Sequence, residues 1–294
     1  MSTEPGRRYC GRTFTGADLA HIRALLALQP VLGRVALSRR VCQDLGWLNA
    51  LGQPKEMSAR VALLRMEQEG LIQLPAPLRR NGRGQRRFPL TAASDPRPPV
   101  HQVLQRLEPL VFQRVQSPQD SRLWNEWIAR YHYLGYRPLS GAQMRYLVAS
   151  ADGRRLAALG FGACAWQLQP RDRYIGWNDR QRRAGLHRIV NNARFLILPW
   201  VQCTGLASRI LSGIIKPLHQ DWRARYGYEP VLLETFVETP RFTGTSYRAA
   251  NWLRLGQTCG RGKLEKQHRQ ISPLKDIWVY PLHRKFREIL CAAS

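Results

Sequence analysis

"LPWVQCTGLASRIL" (198–211) reads as the end of a buried strand, a short turn and the first turns of a helix. Within the turn, Gln202, Gly205 and Ala207 stand at spacings of three and two residues. A helix N-terminus carries unpaired N–H groups and a partial positive charge, so a strand–turn–helix built with small residues suits a phosphate. Gly205 permits a turn geometry costly for other residues, and Ala207 keeps bulk off the first helical turn.

The charge of the chain says which phosphates to expect. The 294 residues include 46 Lys+Arg against 20 Asp+Glu, a formal net charge of +26. A compact protein with that excess repels itself unless an anionic partner offsets it, and nucleic acid is the usual one. DNA is therefore the expected partner. Membrane is not, because the charges do not collect on one amphipathic helix and no apolar run approaches the ~18 residues of a span. The six cysteines are scattered singly, with no CxxC pair and no His at metal-ligand spacing, so no metal is expected. "MSTEPGRRYCGR" has no apolar core to serve as a signal peptide, and the expected location is the cytoplasm, with reduced thiols.

The chain is expected to divide near residue 95 into a winged-helix-like DNA-binding domain with its linker (1–95) and an α/β domain (96–294). "GADLAHIRALLALQP", "ALSRRVCQDLGW" (with Ser38 as N-cap and Gly46 as stop) and "SARVALLRMEQEGLIQLP" predict three helices, the last ended by Gly70 and followed by a short strand. A basic loop, "LRRNGRGQRR", follows with Arg79, Arg80, Arg83, Arg86 and Arg87 among glycines. Helix, helix, helix, strand and basic loop is the order of a winged helix, with the loop as DNA-contacting wing. Arg39, Arg40 and Arg60 on the helices join it as candidate nucleic-acid contacts. The prolines of "FPLTAASDPRPPV" then predict a stiff linker.

Beyond it the pattern alternates. "SRLWNEWIARYHYLG" predicts a helix, and "MRYLVASADGRRLAALGFGACAWQL" two strands turning at Asp152-Gly153. "ARFLILP" predicts a central strand, and "LASRILSGIIKPLHQDWRARYG" one long helix kinked at Pro217. "PVLLETFVE" predicts a buried strand, "TSYRAANWLRLG" a helix and "KDIWVYPL" a last strand.

Three constellations carry candidate chemistry. Glu234 sits mid-strand in an apolar run, where a carboxylate needs a partner; Arg194 on the preceding strand is the candidate. Either the two form a pair that fixes strand register, or Glu234 orients or deprotonates a group near Tyr247. Tyr247 near a helix start would feel positive potential, lowering its pKa and favouring proton donation or nucleophilic attack. His132 in "RYHYLGY" is a candidate base. In "RDRYIGWNDRQRR", Arg171, Arg173 and Arg180 interleave with Tyr174 and Trp177, a pattern suited to holding phosphates and stacking bases.

The order helix, hairpin, central strand, turn, long helix and buried strand resembles the GNAT acyltransferase superfamily over roughly residues 118–260. Gln202, Gly205 and Ala207 match the superfamily's Gln/Arg-x-x-Gly-x-Gly/Ala turn, which implies a cradle for the pyrophosphate of acetyl-CoA or another acyl-CoA. Arg194 is the fourth phosphate-binding candidate. "YRAANW" resembles the Tyr-x-x-x-Gly-Phe segment and implies a general-acid place for Tyr247, although Asn251 and Trp252 replace Gly-Phe. The implied fold class is α/β, a GNAT-like mixed sheet flanked by helices behind the winged-helix-like domain.

"YHYLGYRPLSGAQMRYLV", "NNARFLILPWV" and "LLETFVETPRFTGTSYRAANW" are among the stretches that resemble a second family. It is the one typified by DruA of the Druantia anti-phage systems, whose members also accompany transposases. That resemblance implies a DNA-linked role in phage defence or mobile elements, with other defence-system or transposase proteins as further partners. The preferred reading is a DNA-binding enzyme performing metal-independent strand cleavage or joining without a cofactor. A two-metal nuclease would need several clustered carboxylates. The alternatives are an acyl-CoA-dependent N-acyltransferase and a non-catalytic DNA-binding subunit.

Overall fold

The computed structural model describes residues 6–28, 32–77, 89–260 and 273–292. The chain divides into two compact units, Met1–Arg86 and Arg87–Ser294.

The first unit opens with a hairpin, β1 (Arg7–Tyr9) and β2 (Arg12–Phe14), followed by α1 (Gly16–Leu28), α2 (Arg34–Asp44) and α3 (Glu56–Gln68). Phe14, Leu37, Val41, Trp47, Leu63 and Met66 form its core. Arg7 reaches Glu69 at 3.2 Å, tying the hairpin to the end of α3. The three helices lie where the sequence puts them, but two details differ. Helix α2 begins at Arg34 behind Gly33, so Ser38 is buried mid-helix and its hydroxyl donates to Val35 O rather than capping. Residues 71–77 form no strand, and the wing arginines Arg79, Arg80, Arg83, Arg86 and Arg87 lie outside the described residues.

The second unit begins at the segment read as linker. Thr91 N and Oγ1 donate to the buried Glu126, and Arg130 donates to Asp95 at 2.6 Å, so residues 91–95 are fastened to it. In chain order come β3 (Val100–His101), α4 (Leu104–Leu107), β4 (Val111–Arg114), α5 (Pro118–Tyr131), β5 (Met144–Ala149) and β6 (Arg155–Ala163). Next are α6 (Gln169–Ile175), α7 (Asp179–Gly185), β7 (Ile189–Ile197), β8 (Val201–Gln202), α8 (Leu206–Gly213) and α9 (Ile215–Tyr226). The unit closes with β9 (Leu232–Glu238), α10 (Thr245–Ala249), β10 (Leu253–Gln257), β11 (Lys275–Pro281) and α11 (Phe286–Ala292).

Seven strands form one mixed sheet in the order β10-β11-β9-β7-β6-β5-β4. Four antiparallel strands, β4 to β7, meet a second group through the parallel pair β7–β9. This is the mixed α/β sheet, flanked by helices, that the sequence implies. Helix α5 packs directly on β6 because Gly160 has no side chain; a Cβ there would lie 2.8 Å from Trp124.

The predicted long helix is two helices, α8 and α9, meeting at Ile214. Pro217 has no N–H for the Gly213 carbonyl, so the ladder breaks one turn before the proline. The predicted helix at 245–256 is also shorter. Asn251 adopts φ 61°, ending α10, and Leu253–Gln257 pair with β11 instead.

Candidate functional site

The phosphate turn forms as the sequence predicts locally. Gly205 adopts φ 79° and caps α8 at its N-terminus, with Gln202 and Gly205 exposed and Ala207 half-buried. Strand β8 pairs in parallel with β3, and Leu104 lies 3.9 Å from where a Cβ on Gly205 would stand. Arg209 in the first turn is drawn to Glu108.

Beside this turn the sheet opens. Strands β7 and β9 pair only from Ile189 to Asn191 against Leu232 to Glu234. Beyond that point β7 keeps β6 as its partner, with Ala193 as an extra residue between the pairs Asn192–Phe161 and Arg194–Gly160. Buried Asn192 stands at the opening. Its carbonyl accepts from Thr235 Oγ1 at 2.9 Å, its Oδ1 accepts from the Tyr247 hydroxyl at 2.8 Å, and its Nδ2 donates to Arg194 O at 3.3 Å. The chain's own side chains thus occupy the backbone carbonyls that the opening exposes. Asn192 and Thr235 escaped the sequence reading; the signal was the polar pair Asn191-Asn192 entering an apolar strand.

Tyr247 corrects an expectation. Its ring packs against Phe195, Trp252 and Trp278, with centroids 6.3, 5.1 and 6.5 Å away. Burial pushes its phenol up rather than down, against a smaller pull from Thr235. The helix it occupies has five residues, too short to lower a phenol that its surroundings desolvate.

His132 stands at the C-terminal end of α5, stacked on Tyr133 at 4.9 Å, with its Nδ1 accepting from Leu134 N. Burial, then the charge of Arg194, lowers its pKa to about 4. The imidazole is therefore neutral at pH 7. Arg194 is half-buried, its Nη1 donating to Ala193 O, and among the described residues it forms no ion pair. The structure thus brings Tyr247, His132 and Arg194 toward the opening.

Glu234 does not join them. It faces the other side of the sheet from Thr235, and its partner is Arg171, not Arg194: Arg171 Nη1 donates to Glu234 Oε2 at 2.8 Å. The register places Asn191, not Arg194, opposite Glu234, which leaves Arg194 too far along β7 to pair. Burial pushes the Glu234 carboxyl up, while Arg171 and the Ala165 amide pull it back.

The basic-aromatic tract accordingly splits. Arg171 and Trp177 turn inward; Trp177 Nε1 and Arg171 both donate to Asp172, and Arg182, also buried, pairs with Asp172 and Asp179. Neither Arg171 nor Trp177 is available to nucleic acid. Exposed Arg173, Arg180 and Arg183 form no ion pair among the described residues. Tyr174 is half-buried, stacked on Phe286 with Arg287 4.4 Å over its ring. Gln181 donates to Cys291 O, so α7 and α11 lie together and bring Arg284, Lys285 and Arg287 to the same region. Residues 169–188 and 283–290 hold nine Lys and Arg against three carboxylates.

In the first unit, Arg39 and Arg60 share Glu56, and Arg40 pairs with Asp44. The outer side of α3 exposes Met57, Val61 and Leu64 beside Arg65, a largely apolar rather than basic face. No group of three or more His, Cys, Asp or Glu able to hold a metal occurs among the described residues. Nor is any helix among them long and apolar enough to cross a membrane.

Comparison with solved structures finds spermidine N-acetyltransferases. A chimera of the Vibrio cholerae enzyme SpeG with hSSAT is 11% identical, covering 60% of this chain and 97% of its own, with a TM-score of 0.39. The Vibrio cholerae enzyme in complex with CoA and spermine is 10% identical, covering 59% and 95%, also with a TM-score of 0.39. No curated protein matches the chain. The family model of the Druantia protein DruA matches residues 65–273, from within α3 to the residues before β11. That match takes in the opened sheet, the glycine turn and the basic tract, and the chain belongs to the DruA family.

Proposed function

We propose that this chain is a DNA-binding protein of an anti-phage system, gripping the DNA backbone with the face built by α6, α7 and α11. The observation that carries this reading is how charge is sorted there. Asp172, Asp179 and Glu234 are engaged by the buried Arg171 and Arg182, which leaves Arg173, Arg180 and Arg183 exposed without a carboxylate. The buried Arg171 and Arg182 require those acids as counter-charges, so the exposed arginines keep their full charge for an anionic partner. The turn at Gly205 offers a second phosphate contact.

Strand cleavage by Tyr247 is not part of this proposal. A nucleophilic phenol needs an ionised, accessible oxygen, whereas this one donates to Asn192 and is held protonated by burial.

An acyl-CoA-dependent transferase is the second reading, favoured by the exposed Gln202–Gly205–Ala207 turn beside an opened sheet. Against it, Asn192 and Thr235 already engage the opening, and Trp252 is buried on Tyr247. Thermal stabilisation by a DNA oligonucleotide, measured beside that by acetyl-CoA, separates the two. The DNA reading expects a rise in melting temperature with DNA alone; a rise with acetyl-CoA alone reverses the order.

A further inference from the structure

Where α9 stops at Gly227 and the chain turns into β9, a half-open cleft of about 320 Å³ lies against the segment joining β11 to α11. That volume sits at the lower end of ligand pockets, room for one small planar group and its substituent. Three kinds of surface meet in it. Arg188, half-exposed, stands at one wall and forms no ion pair among the described residues. Glu229 projects a carboxylate whose Oε1 accepts from Arg223 at 2.8 Å and whose Oε2 lies 3.6 Å from His219 Nε2. Tyr228, Leu282 and Ile289 supply an aromatic and aliphatic floor. The Tyr228 ring is held edge-on by His187 at 4.8 Å and by Trp222 at 6.4 Å, so it is fixed before any ligand arrives.

Each surface narrows the ligand. A bare phosphate has no use for the apolar floor. An acidic peptide would meet Glu229. A lipid chain would need a longer apolar channel than this one. A cation, a fixed ring and a carboxylate acceptor together match a nucleotide: phosphate, flat base, and amino group on the base edge. Arg188 lies three residues beyond the end of α7, which carries Arg180 and Arg183, and α11, which lies against α7, supplies Ile289 to the cleft.

We propose that the cleft holds one unpaired nucleotide of a DNA strand, its phosphate on Arg188, its base against Tyr228, Leu282 and Ile289, and Glu229 accepting from a base amino group. This rests on the DNA-binding reading above and adds to it a preference for an unpaired base.

The test compares a labelled single-stranded oligonucleotide with its duplex on the full chain, as wild type, Arg188→Gln and Ile289→Trp. Loss of a base–aromatic contact and its phosphate is expected to weaken single-strand binding about tenfold in either variant, with duplex binding changed less than about twofold. Equal weakening on both DNAs, or none on the single strand, overturns the cleft proposal while the DNA reading stands. If Ile289→Trp does not fold, Arg188→Gln alone decides. Should wild type bind neither DNA, the DNA reading fails. The cleft is then judged by deoxyadenosine monophosphate beside inorganic phosphate. Thermal stabilisation by the nucleotide, exceeding that by phosphate and lost in Arg188→Gln, upholds it; its absence overturns it.

Discussion

Arg171 and Glu234 form an ion pair in which both side chains have zero exposure, 63 residues apart in sequence and 2.8 Å apart in space. Arg171 also donates to Ala165 O and Asp172, and Glu234 accepts from Ala165 N, so the pair clamps α6 and the end of β6 to the middle of β9. It is an internal fastening of the basic region, not a part of its contact surface.

Removing one partner strands the other. Glu234→Gln and Arg171→Met are each expected to destabilise the protein by about 3–5 kcal/mol, while the double variant Arg171→Met/Glu234→Met recovers much of the loss. Urea unfolding of the three variants beside wild type measures this. Single variants as stable as wild type would show that the pair does not hold the fold.

Tyr247→Phe leaves the buried Asn192 Oδ1 without its donor and removes the long 3.5 Å contact that the hydroxyl accepts from Thr235 Oγ1. The expected cost is about 1–3 kcal/mol in stability, with DNA affinity unchanged. A variant that keeps its stability but loses a DNA reaction product would restore Tyr247 to chemistry.

His132 gives a pH dependence. Its pKa is about 4 in the fold, below the ordinary value of 6.5, because burial and Arg194 disfavour the cation. The unfolded chain therefore takes up a proton between those values that the folded chain refuses, and stability falls as pH drops from 6.5 toward 4. His132→Asn is expected to lose less stability than wild type between pH 7 and pH 5, by about 2 kcal/mol. Melting curves at the two pH values decide it, and parallel losses would remove His132 as the cause.

Ala207→Asp places a negative charge in the first turn of α8, where the helix dipole favours it. Stability should hold or rise slightly, and DNA affinity should fall several-fold if the turn meets a phosphate. Unchanged affinity in a folded variant would take the turn out of the interface.

Much of this architecture was legible from residues alone, for local reasons. The apolar runs became β7, β9 and β11, Asp152-Gly153 turned the β5–β6 hairpin, and Gly205 took the left-handed geometry its turn demands. What stayed hidden depends on distant partners. The need of Glu234 for a cation could be read from its strand; that Arg171 supplies it could not, because a polar tract gives no sign of which arginine turns inward. The same tract contains α6 and α7, to which the sequence reading assigned no element; Asn178 and Gln181 cap α7, and Gln181 also ties it to α11. Asn251 looked like part of a helix because the β-ladder that claims Leu253–Gln257 is formed by the distant residues Asp276 to Val279.

The central claim is that the uncompensated arginines of α6 and α7 meet the phosphates of DNA, and the dependence of affinity on salt tests it most directly. Wild type is expected to lose affinity steeply as salt rises, with log K falling against log salt by about 0.9 for each phosphate neutralised. The variant Arg173→Ala/Arg180→Ala/Arg183→Ala should flatten that slope by roughly two to three. Affinity indifferent to salt, or a slope that the triple variant leaves unchanged, would contradict the account.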